Sequence, residues 1–290
     1  MTDVMTYEQA KKEFINLINS MSNKFTPVQV FTDFVEMAAM SISNSCDLSK
    51  KREEREKKYM DLINKYDKKE QEKFPELLGL VTNALTDKFG DFLGNCFETI
   101  GASNAKTGQF FTPYSVSKLC AETIFDKDIV QKGIEEKGYI GLNEPACGSG
   151  GMIIAFLDVL YHNGFNFQTQ SYTIAQDIDY RCAYMCYIQL SLLGAPAVVC
   201  IGDTLALKTW DTLYTPFYVM NWWKFNRKTA PVKEATAQAV EVMNEPATDE
   251  ITLKDNKNND IKAEKPVEEI TPPEVTPVME DLKQGQLSLF

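Results

Sequence analysis

Histidine is nearly missing: His162 is the only one in 290 residues. With so little imidazole, the seven cysteines (46, 96, 120, 147, 182, 186 and 200) have no partners for a ligand set, and no metal site is expected. They also form no C-x-x-C pair, although Cys182 and Cys186 share a helix face. No run is apolar for long enough to cross a bilayer, and no secretory leader is recognisable. The thiols therefore read as reduced and buried, in a cytoplasmic protein with no membrane partner. Positive charge is scarce as well. The formal net charge is −11. Residues 229–290 hold 13 acidic and 6 basic side chains, so this segment carries −7 and residues 1–228 only −4. That deficit argues against a broad basic DNA surface, because phosphate neutralisation drives non-specific affinity. It leaves room for DNA contacts supplied through a partner subunit.

What is present is 44% apolar residues, enough for a sizeable core, in a length that suits one or two domains. The most informative stretch is Asn143-Glu144-Pro145-Ala146-Cys147-Gly148-Ser149-Gly150-Gly151. It follows a short apolar run, Tyr139–Leu142, that reads as a strand. It precedes Met152–Leu160, which reads as a helix packed on a sheet. Strand, glycine-rich turn and helix form the first step of a doubly wound α/β fold. Glycines there let backbone approach a ligand, and the helix start offers free N–H groups. The spacing is not the dinucleotide G-x-G-x-x-G pattern. Two acids follow at strand ends. Asp177 closes the run Tyr172–Ala175 and lies 29 residues after Gly148. Asp203 closes Ala197–Ile201. A carboxylate at such a strand end can accept hydrogen bonds from hydroxyl or amino groups of a ligand.

The loop resembles the first S-adenosylmethionine loop of the N6-adenine DNA methyltransferases. It is most similar to the modification subunits of type I restriction-modification systems, whose usual form is Asp-Pro-Ala-Cys-Gly-Ser-Gly-Gly. Upstream, Gly108-Gln109-Phe110-Phe111-Thr112-Pro113 resembles the family's Gly-Gln-Phe-Tyr-Thr-Pro segment. The resemblance covers roughly residues 86–205. It implies S-adenosylmethionine as cofactor, held by Phe110, Phe111, Thr112 and Pro113, by the loop from Asn143 to Gly150, and by Asp177, Ile178, Asp203 and Thr204. It also implies a Rossmann-like methyltransferase domain preceded by a helical domain, with DNA and a specificity subunit as partners. The expected layout is a helical region over 1–107, a truncated methyltransferase domain over 108–228, and an acidic tail over 229–290. Helices are expected over 7–20, from Pro27 to about Ser43, over 50–58, and near 75–87, 89–100 and 112–125, with a strand through Phe217-Tyr218-Val219-Met220. The tail is proline-rich and poor in large apolar residues, so residues 229–284 are expected to be disordered.

An adenine amino group is a poor nucleophile, and the family positions it with Asn/Asp-Pro-Pro-Phe/Tyr. No such tetrapeptide occurs in the chain. Asn221-Trp222-Trp223-Lys224-Phe225 stands nearest by position. Asn221 would bind the amine and Trp222 would stack on a flipped base. Two readings remain open: an adenine-N6 DNA methyltransferase, or a cofactor-binding module without catalysis that a sliding clamp recruits. The clamp enters because the last residues, Gln286-Leu287-Ser288-Leu289-Phe290, resemble the bacterial clamp-binding peptide. In that mode Leu and Phe side chains fill an apolar pocket and Gln anchors by hydrogen bonds. A peptide of residues 284–290 is expected to compete for the clamp pocket in a fluorescence-polarisation assay. Changing Leu289 and Phe290 to Ala should abolish competition; no binding at high micromolar peptide would end the idea.

Overall fold

The computed structural model describes residues 5–21, 24–47, 49, 51–101 and 111–220, and the backbone of 287–288. The expected segment 108–110, the acceptor candidates Asn221 and Trp222, the tail, and Gln286, Leu289 and Phe290 lie outside the described residues.

The first half is helical: α1 Tyr7–Ser20, α2 Pro27–Cys46, α3 Lys51–Ile63, α4 Lys68–Gln71, α5 Lys73–Asp87 and α6 Phe92–Thr99. Local chemistry sets these starts. Thr6 and Gln9 form a reciprocal capping box on α1. Thr26 caps α2 by accepting from the Gln29 N–H, with Pro27 at the first helical position. Asp91 caps α6 by accepting from the Gly94 N–H. Apolar stripes then bring the helices together. Phe14 of α1 meets Phe31 and Phe34 of α2 and Phe92 of α6, with ring centroids 5.4–6.0 Å apart in edge-to-face geometry.

Next come α7 Tyr114–Ile124, α8 Lys127–Lys137, β1 Ile140–Glu144, α9 Gly151–His162, α10 Phe167–Gln170, β2 Ser171–Asp177, α11 Tyr180–Leu193, β3 Ala197–Asp203, β4 Lys208–Tyr214 and α12 Pro216–Met220. A two-residue strand, β5 Leu287–Ser288, completes the sheet order β4-β3-β2-β1-β5. Strands β1, β2 and β3 run parallel, with Ile140 opposite Ser171 and Thr173 opposite Ala197. Helices α9 and α11 cross between them and are buried on nearly every side, α9 against α7 and α11 against α2. One apolar core runs through helical and α/β parts alike. The α/β fold with a helical region in front is therefore present.

One local expectation fails. Residues 217–220 form helix α12, not a strand. The Thr215 hydroxyl accepts from the Tyr218 N–H, and Pro216 follows it, so the same cap-and-proline device that starts α2 starts α12. The strand after Asp203 is instead β4, which folds back antiparallel on β3, with Asp203 opposite Lys208. Its hairpin is tight: a side chain at Gly202 would run into the Lys208 carbonyl. Leu207 closes the turn at a φ of +52°.

Phe14 joins three helices at full burial. Phe14→Ala should destabilise the fold by about 3–5 kcal/mol. Urea unfolding should show a lower midpoint with an unchanged slope; an unchanged midpoint would refute this account of the helical core.

Candidate functional site

Parallel pairing places the carboxyl ends of β1, β2 and β3 on one edge of the sheet, and each ends in an acid: Glu144, Asp177 and Asp203. The glycine-rich loop leaves β1 at that edge. Two hydrogen bonds pin it to the end of β2: the Cys147 N–H donates to the Gln176 carbonyl (2.8 Å) and the Gly148 N–H to Asp177 Oδ2 (2.8 Å). A third ties it to β3, where the Thr204 hydroxyl donates to the Pro145 carbonyl at 2.6 Å. The sequence-predicted residues 143–150, 177, 203 and 204 are thus gathered in one place.

Two loop glycines need left-handed backbone, Gly148 at φ +53° and Gly150 at φ +95°. They also need the space. A Cβ at Gly148 would come within 3.2 Å of the Phe111 ring, and one at Gly150 within 3.1 Å of Cys186 Sγ. Phe111 is held there by Phe97, at 5.7 Å between ring centroids. Gly150 begins α9 without any side-chain cap, so the helix start faces the loop cavity with its positive end. The cavity holds about 230 Å³, and its walls include Phe111, Thr112, Glu144, Ser149 and Met152. Pro113 starts α7 beside it. Ile178 is exposed next to Asp177, an apolar surface at the rim of the strand-end edge.

The site is acidic and costly. Burial raises the pKa of Glu144, with a further push from the Asp177 charge. Glu144 Oε1 accepts from the Ala146 N–H at 3.1 Å, while Oε2 is buried with no partner. Burial also raises Asp177, against the opposing effect of the backbone donors at Asp179 and Gly148. A buried, unpartnered carboxylate oxygen beside a second acid calls for a cation or a donor. Cys147 is buried and its thiol pKa is raised, first by its contact with Cys186 and then by burial. It is therefore a packed thiol rather than a nucleophile.

Sequence reasoning missed a group behind the loop. Asp91 Oδ2 accepts a short hydrogen bond from the Ser149 hydroxyl, and Asp91 Oδ1 accepts from Gln189 Nε2 at 3.0 Å. Gln189 Nε2 also donates to the Ser149 carbonyl (2.8 Å), and Gln189 Oε1 accepts from the Leu93 N–H (3.1 Å). Locally, Asp91 does no more than cap α6 through the Gly94 N–H. A larger cleft, about 850 Å³, opens at the other end of α9 around Phe89, Lys118, Asp158 and His162. It contains none of the sequence-predicted site residues and lies away from the strand ends.

The edge as built offers acids for a cationic or hydroxyl-bearing ligand, a helix start for an anionic group, and bare backbone for close approach. The family model described as N-6 DNA methylase matches residues 84–275. No curated protein matches the chain. Among solved structures it is similar to one from Listeria monocytogenes, provisionally described as a class I S-adenosylmethionine-dependent methyltransferase, with 14% identity and a TM-score of 0.38. That alignment covers 70% of this chain and 56% of the other, so this chain spans little more than half of that length.

A carboxyl group with a raised folded-state pKa binds its proton more tightly folded than unfolded. Its stabilising contribution is complete below the ordinary value near 4.5 and is lost as pH rises through the folded value. Glu144→Gln removes that loss. The variant without ligand should melt at a higher temperature than wild type at pH 7.5, with the difference shrinking toward pH 4.5. Parallel melting curves across that range would contradict the burial argument.

Proposed function

The chain belongs to the N-6 DNA methylase family, and we propose that it is an S-adenosylmethionine-dependent methyltransferase acting on the adenine amino group of DNA. The cofactor is S-adenosylmethionine, and the site's donor set fits it. Glu144 and its unpartnered Oε2 suit a molecule carrying ammonium and sulfonium charges. Asp177 suits the ribose diol, Asp203 the adenine amine, and the uncapped start of α9 the carboxylate. Bound there, the cofactor supplies an electrophilic methyl group. The observation that carries the reading is the convergence of Glu144, Asp177 and Asp203 on the glycine loop at one sheet edge. The acceptor role falls to Asn221, whose side-chain oxygen would accept from the amine, with Trp222 stacked on the base. The amine nitrogen would gain the methyl as the methyl–sulfur bond breaks, leaving the neutral thioether of the demethylated cofactor, and would release one proton to solvent. DNA reaches the site with the help of a specificity subunit, as part of a restriction-modification system.

A second reading has its own support. In a doubly wound sheet the fourth strand pairs with β1, beside the ligand crevice. In this chain β4 pairs instead with the far side of β3. Among the described residues only the two-residue β5 meets β1. Tryptophans also stand where the family's prolines fix the acceptor backbone. Both facts favour a cofactor-binding module without transfer, brought to DNA through a sliding clamp by the C-terminal peptide.

Calorimetric titration with S-adenosylmethionine and methyl transfer to mixed-sequence DNA, on one preparation, separate the two. Transfer that disappears in Asn221→Ala supports the enzyme. Binding without transfer supports the module. Asp177→Ala should weaken cofactor binding under either reading, and absence of binding by the wild-type chain would defeat both.

A further inference from the structure

The polar group behind the cofactor loop is closed on itself. Asp91, Ser149 and Gln189 are each at most 4% exposed. Asp91 Oδ1 takes the Gly94 N–H and one Gln189 N–H, and its Oδ2 takes the Ser149 hydroxyl. Gln189 spends its second N–H on the Ser149 carbonyl and its oxygen on the Leu93 N–H. Three elements meet here: the start of α6, the loop and α11. Asp91 and Ser149 are 58 residues apart, and Asp91 and Gln189 are 98 apart. The contact is close enough that a side chain at Gly94 would collide with both Asp91 and Ser149.

Two of these bonds cap α6, those from the Gly94 and Leu93 N–H groups. The remaining bonds all act on Ser149 or on the side chain that holds it. Ser149 sits between Gly148 and Gly150, the two loop residues with left-handed backbone. Those glycines give the loop freedom, and Ser149 is the one side chain between them that can be gripped. It is gripped at both its hydroxyl and its carbonyl. Asp91 and Ser149 also face the 230 Å³ cavity from behind.

We propose that Asp91, braced by Gln189, is a positioning residue for the cofactor. It fixes Ser149, and through Ser149 the backbone from Gly148 to Gly151, in the shape that receives S-adenosylmethionine. The helical region thereby sets the cofactor loop, although it supplies no atom to the reaction. The inference rests on the cofactor reading above.

The test uses the full chain and four proteins besides wild type: Asp91→Ala, Asp91→Asn, Ser149→Ala and the Asp91→Ala/Ser149→Ala double variant. S-adenosylmethionine is titrated by calorimetry, and amide exchange over 147–152 is followed without ligand. Asp91→Ala and Ser149→Ala should each weaken binding by about tenfold, and the double variant by no more than about twofold beyond the weaker single, because both break one linkage. Asp91→Asn, nearly the same shape with one acceptor oxygen left, should fall between. Exchange of the loop amides should quicken in Asp91→Ala. If Asp91→Ala does not fold, Asp91→Asn and Ser149→Ala carry the test with the same two readouts. A folded variant that melts lower but keeps wild-type affinity and wild-type loop exchange would reduce Asp91 to a helix cap and overturn the proposal. If the wild-type chain takes up no S-adenosylmethionine, the cofactor reading fails, and the exchange arm alone decides whether Asp91 orders the loop.

Discussion

The parallel register of β1 on β2 is the constraint on which the rest of the structure depends. Glu144 pairs with Ala175, so the chain leaving β1 emerges directly over Gln176 and Asp177. Only in that register can the Cys147 and Gly148 amides reach the end of β2. A slip of one residue would turn every side chain of the strand to the other face and carry Glu144 away from the loop. The register is held by α9 and α11, which cross between the strands and pack in turn on α7 and α2. Burial of those helices is thus what keeps three acids on a common edge.

That edge explains how charge is distributed around the site. Carboxyl groups buried without cationic partners are a standing cost in the ligand-free fold. A positively charged small molecule offsets it locally, whereas a phosphodiester would meet the same field as repulsion. The sequence's shortage of basic residues works in the same direction. The site is therefore matched to a small cationic ligand rather than to a polyanion; on the proposed reading, DNA would need charge brought from elsewhere.

Much of this was legible in the chain. Helix α1 stands at its expected bounds, because an apolar period of 3.6 marks it. The loop, Asp177 and Asp203 were readable because each follows a short apolar run. Helix α12 was not, since Phe217, Tyr218 and Val219 favour strands and the signal lay in the preceding Thr215-Pro216. Strand β4 was hidden because only Leu213 of its seven residues is fully buried, with Trp210 turned to solvent, so it carries little hydrophobic pattern. The Asp91 network was invisible for a different reason: its members lie up to 98 residues apart, and no local period reports a contact at that distance.

The continuity of the core across Asp91, Ser149 and Gln189 also bears on how such chains can diverge. A domain with a separate core can be exchanged between relatives at a linker. Here a crossover between α6 and α7 would pair one parent's Asp91 and Gly94 with another parent's loop and α11. The hybrid would have to match a carboxylate, a hydroxyl and an amide at three elements simultaneously. Recombination that respects this junction must therefore carry the helical segment and the sheet together, so the two halves should share a single ancestry even where the surface around them does not.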